Sequence, residues 1–245
     1  MKKVFLAALM LFIGSHLLQA QTQAIKTNLL GWAALNSNIQ YEYSSGSKLS
    51  FGLGIGYKLP ATISVDALAE QTDGDKYSYT GDLKVNGVSF TPFLRWYPSG
   101  AIRGFYLEPF LRYYNYDIEL PYEYDKDNTL YNGNATGYAK AFGGGLNIGG
   151  QIISGEHFVI DIFAGAGIAN GNVRLEVMDP NLDEADYAEI KQTIEDNKDT
   201  EVNVFILNSV IDKIEADANS NSAWAQAKGI PVPIFRIGIS LGYAF

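Results

Sequence analysis

At 245 residues the chain is long enough for one large β-domain or two small domains, and its formal charge of −9 makes nucleic acid an unsuitable partner. It has no cysteine, which excludes a disulfide framework, a cysteine nucleophile and a cysteine-linked lipid anchor. Glycine (25) and tyrosine (16) are abundant, while long apolar runs are missing beyond the first residues, so soluble β-sandwich and outer-membrane barrel are the two classes to separate.

Residues 1–20, MKKVFLAALMLFIGSHLLQA, read as a secretory signal peptide. Lys2 and Lys3 give a positive start, Val4 to Gly14 an apolar stretch too short for a spanning helix, and Leu18-Gln19-Ala20 a cleavage site. Its loss removes two lysines and takes the net charge from −9 to −11. The mature domain is expected over 21–245.

From there the apolar residues recur with a period of two, which predicts strands over 38–44, 48–59, 87–97, 104–117, 137–152, 156–169 and 233–245. In KLSFGLGIGYKL, one face holds Leu49, Phe51, Leu53, Ile55, Tyr57 and Leu59, and the other is mostly Gly and Ser. The end of the chain, PIFRIGISLGYAF, sets Phe235, Ile237, Ile239, Leu241, Tyr243 and Phe245 against Arg236, Gly238, Ser240, Gly242 and Ala244. A soluble sandwich would bury the bulky face and clothe the other in Lys and Glu. A glycine-lined second face instead suits the crowded interior of a small barrel whose exterior meets lipid. Tyr41, Tyr57, Trp96, Tyr113 and Tyr243, near strand ends, fit aromatic girdles.

Tight links (SSGS, PSGAIR, ISGE) alternate with long connections at 60–86, 118–136 and 170–231. Short turns on the periplasmic side and long loops outside require one more strand before 38–44, and 25–34 is its candidate. The expected fold is all-β: an eight-stranded antiparallel up-and-down transmembrane β-barrel, both termini periplasmic and the long loops extracellular, with a helical insertion in the last extracellular loop. Pro92 and Pro109, nearly opposite about the PSGAIR turn, lack the backbone donor a strand needs, so a bulge or a water should interrupt the ladder there. Leu241, Tyr243 and the terminal Phe245 match the C-terminal signal that the barrel-assembly machinery reads in bacterial outer-membrane barrels.

Glu42, Arg95, Glu108, Arg112, Asp161 and Arg236 all fall on inward faces. An eight-stranded barrel is just wide enough to be filled by side chains, so these charges are expected to pair as a structural network, the competing reading being a gated ion path. The 170–231 connection carries five basic and thirteen acidic residues. LDEADYAEIKQTIEDN predicts a helix with Tyr187, Ile190 and Ile194 on one side, and VNVFILNSVIDKIEAD a second with Leu207, Val210, Ile211 and Ile214 at i, i+3, i+4, i+7. The insertion is expected over 181–217. Its second stripe should pack on the first helix, on the barrel rim or on a neighbouring outer-membrane protein, which makes it a candidate docking surface.

Catalytic signatures are weak. The two histidines are His16, lost with the leader, and His157, beside a periplasmic turn without a serine and carboxylate around it. Gly143-Gly144-Gly145 and Gly165-Ala166-Gly167 lack the Lys-Ser/Thr of a phosphate loop, and Asp73, Asp75 and Asp82 lack EF-hand spacing. No catalytic residue, cofactor or metal site is expected.

The segments AIKTNLLGWAALNSNIQYEYSSGSKLSFGLGIGYKLP, SFTPFLRWYPSGAIRGFYLEPFLRYYNYDIE and FRIGISLGYAF together resemble a family of Bacteroidota outer-membrane proteins that bears only a domain-of-unknown-function label. The resemblance covers roughly half the mature chain. It implies an OmpA/OmpX-like eight-stranded barrel and carries no activity with it. Expected partners are outer-membrane lipids and lipopolysaccharide, the barrel-assembly machinery and a neighbouring outer-membrane protein. The expected function is a non-catalytic scaffold, surface-binding protein or accessory subunit, with a small gated channel and a lipid-modifying enzyme as the alternatives.

Overall fold

A computed structural model describes residues 22–46, 48–63, 77–79, 83–100, 102–126, 129–196 and 214–245. In chain order the elements are β1 (Gln23–Asn28), α1 (Leu29–Ala33), β2 (Asn36–Ser44), β3 (Leu49–Ile63), β4 (Tyr77–Tyr79), β5 (Leu83–Trp96), β6 (Gly104–Lys126), β7 (Thr129–Ser154), β8 (Phe158–Val177), α2 (Glu184–Asp196), β9 (Ile214–Asn219) and β10 (Ser222–Ala244). The expected signal peptide, the acidic loop with Asp73, Asp75 and Asp82, and the stripe residues Leu207, Val210 and Ile211 lie outside the described residues.

Every pairing is antiparallel, and the order β1-β2-β3-β5-β6-β7-β8-β10 closes on itself through β1 and β10, so eight strands form a ring. The seam runs from Ala24↔Ala244 to Asn28↔Ser240. Beneath it the main chain of Phe245 finishes the closure: its N–H donates to Gln23 O (2.9 Å), and its carbonyl accepts from the N–H groups of Gln23 (3.0 Å) and Thr22 (3.2 Å). Both ends of the ring therefore meet at one rim, as strand parity required.

The alternation read from the sequence sorts inside from outside, with the polarity of a soluble protein reversed. Phe51, Phe142, Leu146, Ile148, Ile162 and Ile239 stand exposed on the outer surface, whereas Lys26, Glu42, Arg95, Glu108 and Asp161 are buried. The outer apolar band runs over about ten residues of each of several strands, for example Phe158 to Ile168 on β8. At about 3.3 Å per residue and a tilt of about 40°, that band is roughly 25 Å tall. Two bulges mark its upper limit: one at Lys58/Ala61 in β3, the other at Lys228/Ile230 in β10. At the second, Gly229 takes φ +69° and its N–H donates to Asn172 Oδ1 (3.1 Å), a conformation that suits glycine.

Above the bulges β6, β7, β8 and β10 continue as one tall sheet: β7 has 26 residues where β2 has nine. The strands expected to stop at 117, 137 and 169 run on to 126, back to 129 and on to 177, because the alternation persists there with polar residues. β10 likewise starts at Ser222 rather than 233. Pro231 and Pro233 pair with Asn170 and Ile168 on β8 and leave the other edge free of a strand among the described residues.

Three expectations need correction. The first strand ends at Asn28, not 34: Asn28 Oδ1 caps α1 by accepting from Leu30 N (3.1 Å), and the adjacent bulky residues Leu29-Leu30 break the period of two. Pro92 and Pro109 cause no bulge, since the β5–β6 register is unchanged past them. Instead the ladder between Phe90 and Trp96 thins to Phe93↔Phe110, while the β3–β5 and β6–β7 ladders run straight through both prolines. The helical insertion does not reach 217. Ile214 opens β9, paired with Ala227 of β10, and its side chain packs against Ala227 and Ile230. An apolar residue at every third or fourth position there was overridden by the strand edge beside it.

The helix expected from LDEADYAEIKQTIEDN is α2. Tyr187 and Ile190 are buried against Leu120, Tyr122, Ala135 and Ala223, with Ile194 packed alongside, so this helix lies on the tall sheet. Tyr187 Oη fastens it by donating to Asp179 O and accepting from Asp179 N, both at 2.9 Å.

Candidate functional site

The inward face is built of glycine for a packing reason. Phe93 lies across Gly52, Tyr106 across Gly149, Phe110 across Gly145 and Phe163 across Gly238, each ring occupying the space where a Cβ on the facing glycine would stand. Gly143 and Gly145 also meet the backbone of β8 so closely that any side chain would collide with it. The glycine runs thus serve close packing.

Below these rings lies the charged core. Lys26 Nζ donates to Glu42 Oε2 (2.6 Å), Asp161 Oδ2 (2.9 Å) and Gln151 Oε1. The Arg95 guanidinium reaches Glu42 Oε2 (3.1 Å), Asp161 Oδ2 (2.9 Å) and Glu108 Oε2, with Tyr106 stacked 4.0 Å from its centre. Arg236 Nη1 donates to Glu108 Oε1 (2.8 Å). Tyr97 Oη donates to Glu42 Oε1 and Tyr106 Oη to Asp161 Oδ1, both at 2.6 Å. Three cations and three carboxylates are satisfied from six strands. Below them Ile102, in a left-handed conformation (φ 62°), packs on Ala24, Val159 and Ala244, and its carbonyl accepts from Gln151 Nε2 (2.9 Å), closing the lower rim.

Five of the six expected network residues meet here: Glu42, Arg95, Glu108, Asp161 and Arg236. Arg112 does not. It sits one layer higher, over the Tyr114 ring (4.7 Å) and hydrogen-bonded to Tyr116, without a carboxylate partner among the described residues. The missed member is Lys26, 2 % exposed at the centre. Its signal was present in the pattern Ala24, Lys26, Asn28 against Ile25, Thr27, but six residues of strand are too few to stand out.

The chemistry of this core is electrostatic closure. Each carboxylate oxygen of Glu42, Glu108 and Asp161 already has its donor, and among the described residues no group of His, Asp and Glu could hold a metal. His157 is a seam residue: its Nδ1 donates to Ala244 O (2.8 Å) and its ring stacks on Tyr243 (4.7 Å), which in turn faces Phe245 (6.4 Å). Cavities lie both on the outer face and above the network. One, about 430 Å³, is a polar groove on the outside of the tall sheet, with Asp117, Glu119 and Glu176 beside Arg174. Another, about 250 Å³, lies directly above Arg236 and is lined by Arg112, Gln40 and Ser89.

The family model for "Protein of unknown function (DUF3575)" matches residues 6–175. The chain belongs to that family. The match takes in β1 to β7 and all but the end of β8, with five members of the charged core, and stops before α2, β9 and β10. In this DUF3575 protein the sixth member, Arg236, thus stands on a strand beyond the matched region. Comparison with curated proteins and with solved structures finds no match.

Proposed function

We propose that the protein is a non-catalytic outer-membrane β-barrel that anchors and displays its tall sheet and α2 at the cell surface, as a scaffold, surface-binding protein or accessory subunit of a larger complex. The observation that carries this reading is the reversed polarity of a closed ring: an apolar outer band roughly 25 Å tall around a core of neutralised charge. Only a closed barrel or a helix satisfies its backbone in lipid, and the eight strands close through the β1–β10 pairing from Ala24↔Ala244 to Asn28↔Ser240.

The rest of the reading follows from this placement. Residues 1–20 act as the leader, and Leu241, Tyr243 and Phe245 as the assembly signal. The rim where Gln23 meets Phe245 faces the periplasm, and the tall sheet faces out, among lipopolysaccharide. Kinship with OmpA/OmpX-like barrels and a Bacteroidota origin belong to the same proposal. The packed core argues for a closed barrel over a gated channel, because an ion would have to part Lys26, Arg95 and Arg236 from their carboxylates.

The test is direct. Residues 21–245 should fold only with detergent or lipid, migrate differently on a gel before and after boiling, and leave planar bilayers without conductance. A monomer soluble without detergent would overturn the membrane reading, and stable single-channel currents would overturn the closed barrel.

A further inference from the structure

The ring is not sealed by strands over its full height. β1 pairs with β10 only up to Asn28↔Ser240, and β9 takes up the same edge of β10 again at Ala227. Between these levels, from Lys228 to Ile239, that edge has no strand beside it among the described residues. The single turn of α1 stands in the gap with none of its residues buried. It is held by side chains rather than a ladder: Asn38 Oδ1 accepts from Asn28 N (2.7 Å), Asn38 Nδ2 donates to Asn28 O (3.0 Å), and Asn28 Nδ2 reaches Ile237 O at 3.4 Å. Phe235 and Ile237 on the open edge are 81 % and 69 % exposed, the highest values among the large apolar side chains of the described residues.

Behind this notch lies the 250 Å³ cavity, whose lining passes through the wall: Leu30, Phe235 and Ile237 at the mouth, Gln40, Arg112 and Arg236 within. Three polar atoms on its lining have no partner, Asn36 Oδ1, Gln40 Oε1 and Arg112 Nε, and Gln40 is only 6 % exposed. The charge is also unbalanced. The carboxylates below are matched by Lys26, Arg95 and Arg236, which leaves Arg112 as a surplus cation facing the cavity. Buried polar groups are ordinarily satisfied, so a concave site with an idle guanidinium Nε–H and two idle acceptors is one shaped for a ligand.

We propose that the notch admits an anionic amphiphile from the surrounding bilayer. A phosphate or carboxylate headgroup that also bears a hydroxyl would sit on Arg112 and donate to Gln40 and Asn36, while its alkyl chain stays outside along Leu30, Phe235 and Ile237. The volume suits a headgroup rather than a whole lipid, which places the chain at the mouth. Arginine is the appropriate cation, because its fork matches an oxyanion in two-point fashion. This inference rests on the membrane reading above.

The experiment uses the folded mature protein in a neutral maltoside detergent, with lysophosphatidylglycerol as probe and glycerol phosphate as the same headgroup without a chain. Native mass spectrometry should show one lysophosphatidylglycerol per barrel and no glycerol phosphate at equal concentration. Arg112→Gln should weaken binding tenfold or more, and Lys84→Gln, on β5 and outside the cavity's lining, should leave it unchanged. Equal binding of glycerol phosphate, no saturable binding to the wild type, or full retention by a folded Arg112→Gln would each overturn the proposal. The boiled-versus-unboiled gel shift reports folding separately, so a failed membrane reading is distinguishable from an unoccupied notch. Should Arg112→Gln not fold, the comparison of the two probes on the wild type decides alone.

Discussion

Lys26 on the first strand and Asp161 on the seventh, 135 residues apart, meet at 2.9 Å in the middle of the barrel. That contact, with Lys26 bound to Glu42 as well, ties the seam strand β1 across β10 to β8. Lys26→Met should therefore leave two carboxylates short of a buried partner, at a cost of about 3–5 kcal/mol. Heat denaturation in detergent, followed by the gel shift, should show a large fall for Lys26→Met. The surface pair Lys84–Glu119 is well exposed, and Lys84→Ala should change stability by less than about 1 kcal/mol.

Arg236 and Arg112 provide a second contrast. Both are inward arginines one layer apart, but only Arg236 is bound to Glu108. Arg236→Ala should destabilise the barrel by about 3–5 kcal/mol. Arg112→Ala removes no ion pair and should cost about 1 kcal/mol or less in the absence of ligand. Equal losses in urea titrations of the two variants would refute this division.

Two glycines of one strand separate packing from mere flexibility. A Cβ on Gly145 would run into the backbone of β8 and the ring of Phe110, whereas one on Gly150 would meet open space. Gly145→Ala should cost about 1–3 kcal/mol through overpacking. Gly150→Ala should be neutral or slightly stabilising, and the yield of heat-shifted barrel will register both.

The docking of α2 can be released without touching the ring. Tyr187 is buried between helix and sheet, and Tyr187→Ala removes both its packing and its two hydrogen bonds to Asp179. The local cost is about 3–5 kcal/mol. Limited proteolysis should then cut within 184–196 while the gel shift persists. Loss of the shift would mean that α2 supports the barrel itself.

Much of this architecture was legible because a strand alternates strictly. Glu42, Arg95, Glu108 and Asp161 could be assigned to the interior from parity alone, and parity of turns required the strand that carries Lys26. α2 was legible from the spacing of Tyr187, Ile190 and Ile194. Lys26 itself was missed because β1 is short, and Ile214 was misread because its apolar spacing fits a helix when the edge of β10 is not in view.

The sequence by itself determined that the chain is a ring of alternating strands with bulky residues on one face and glycine and charge on the other. This information is local, since the period of two is written into each strand. Only the tertiary structure decided which charges meet, because Arg112 and Arg236 carry the same pattern and differ only in whether Glu108 lies within reach. It alone also decided where the ring lacks a strand. β1 stops at Asn28, where the asparagine caps α1 and clasps Asn38, and the pairing it ends is with β10, more than two hundred residues along the chain.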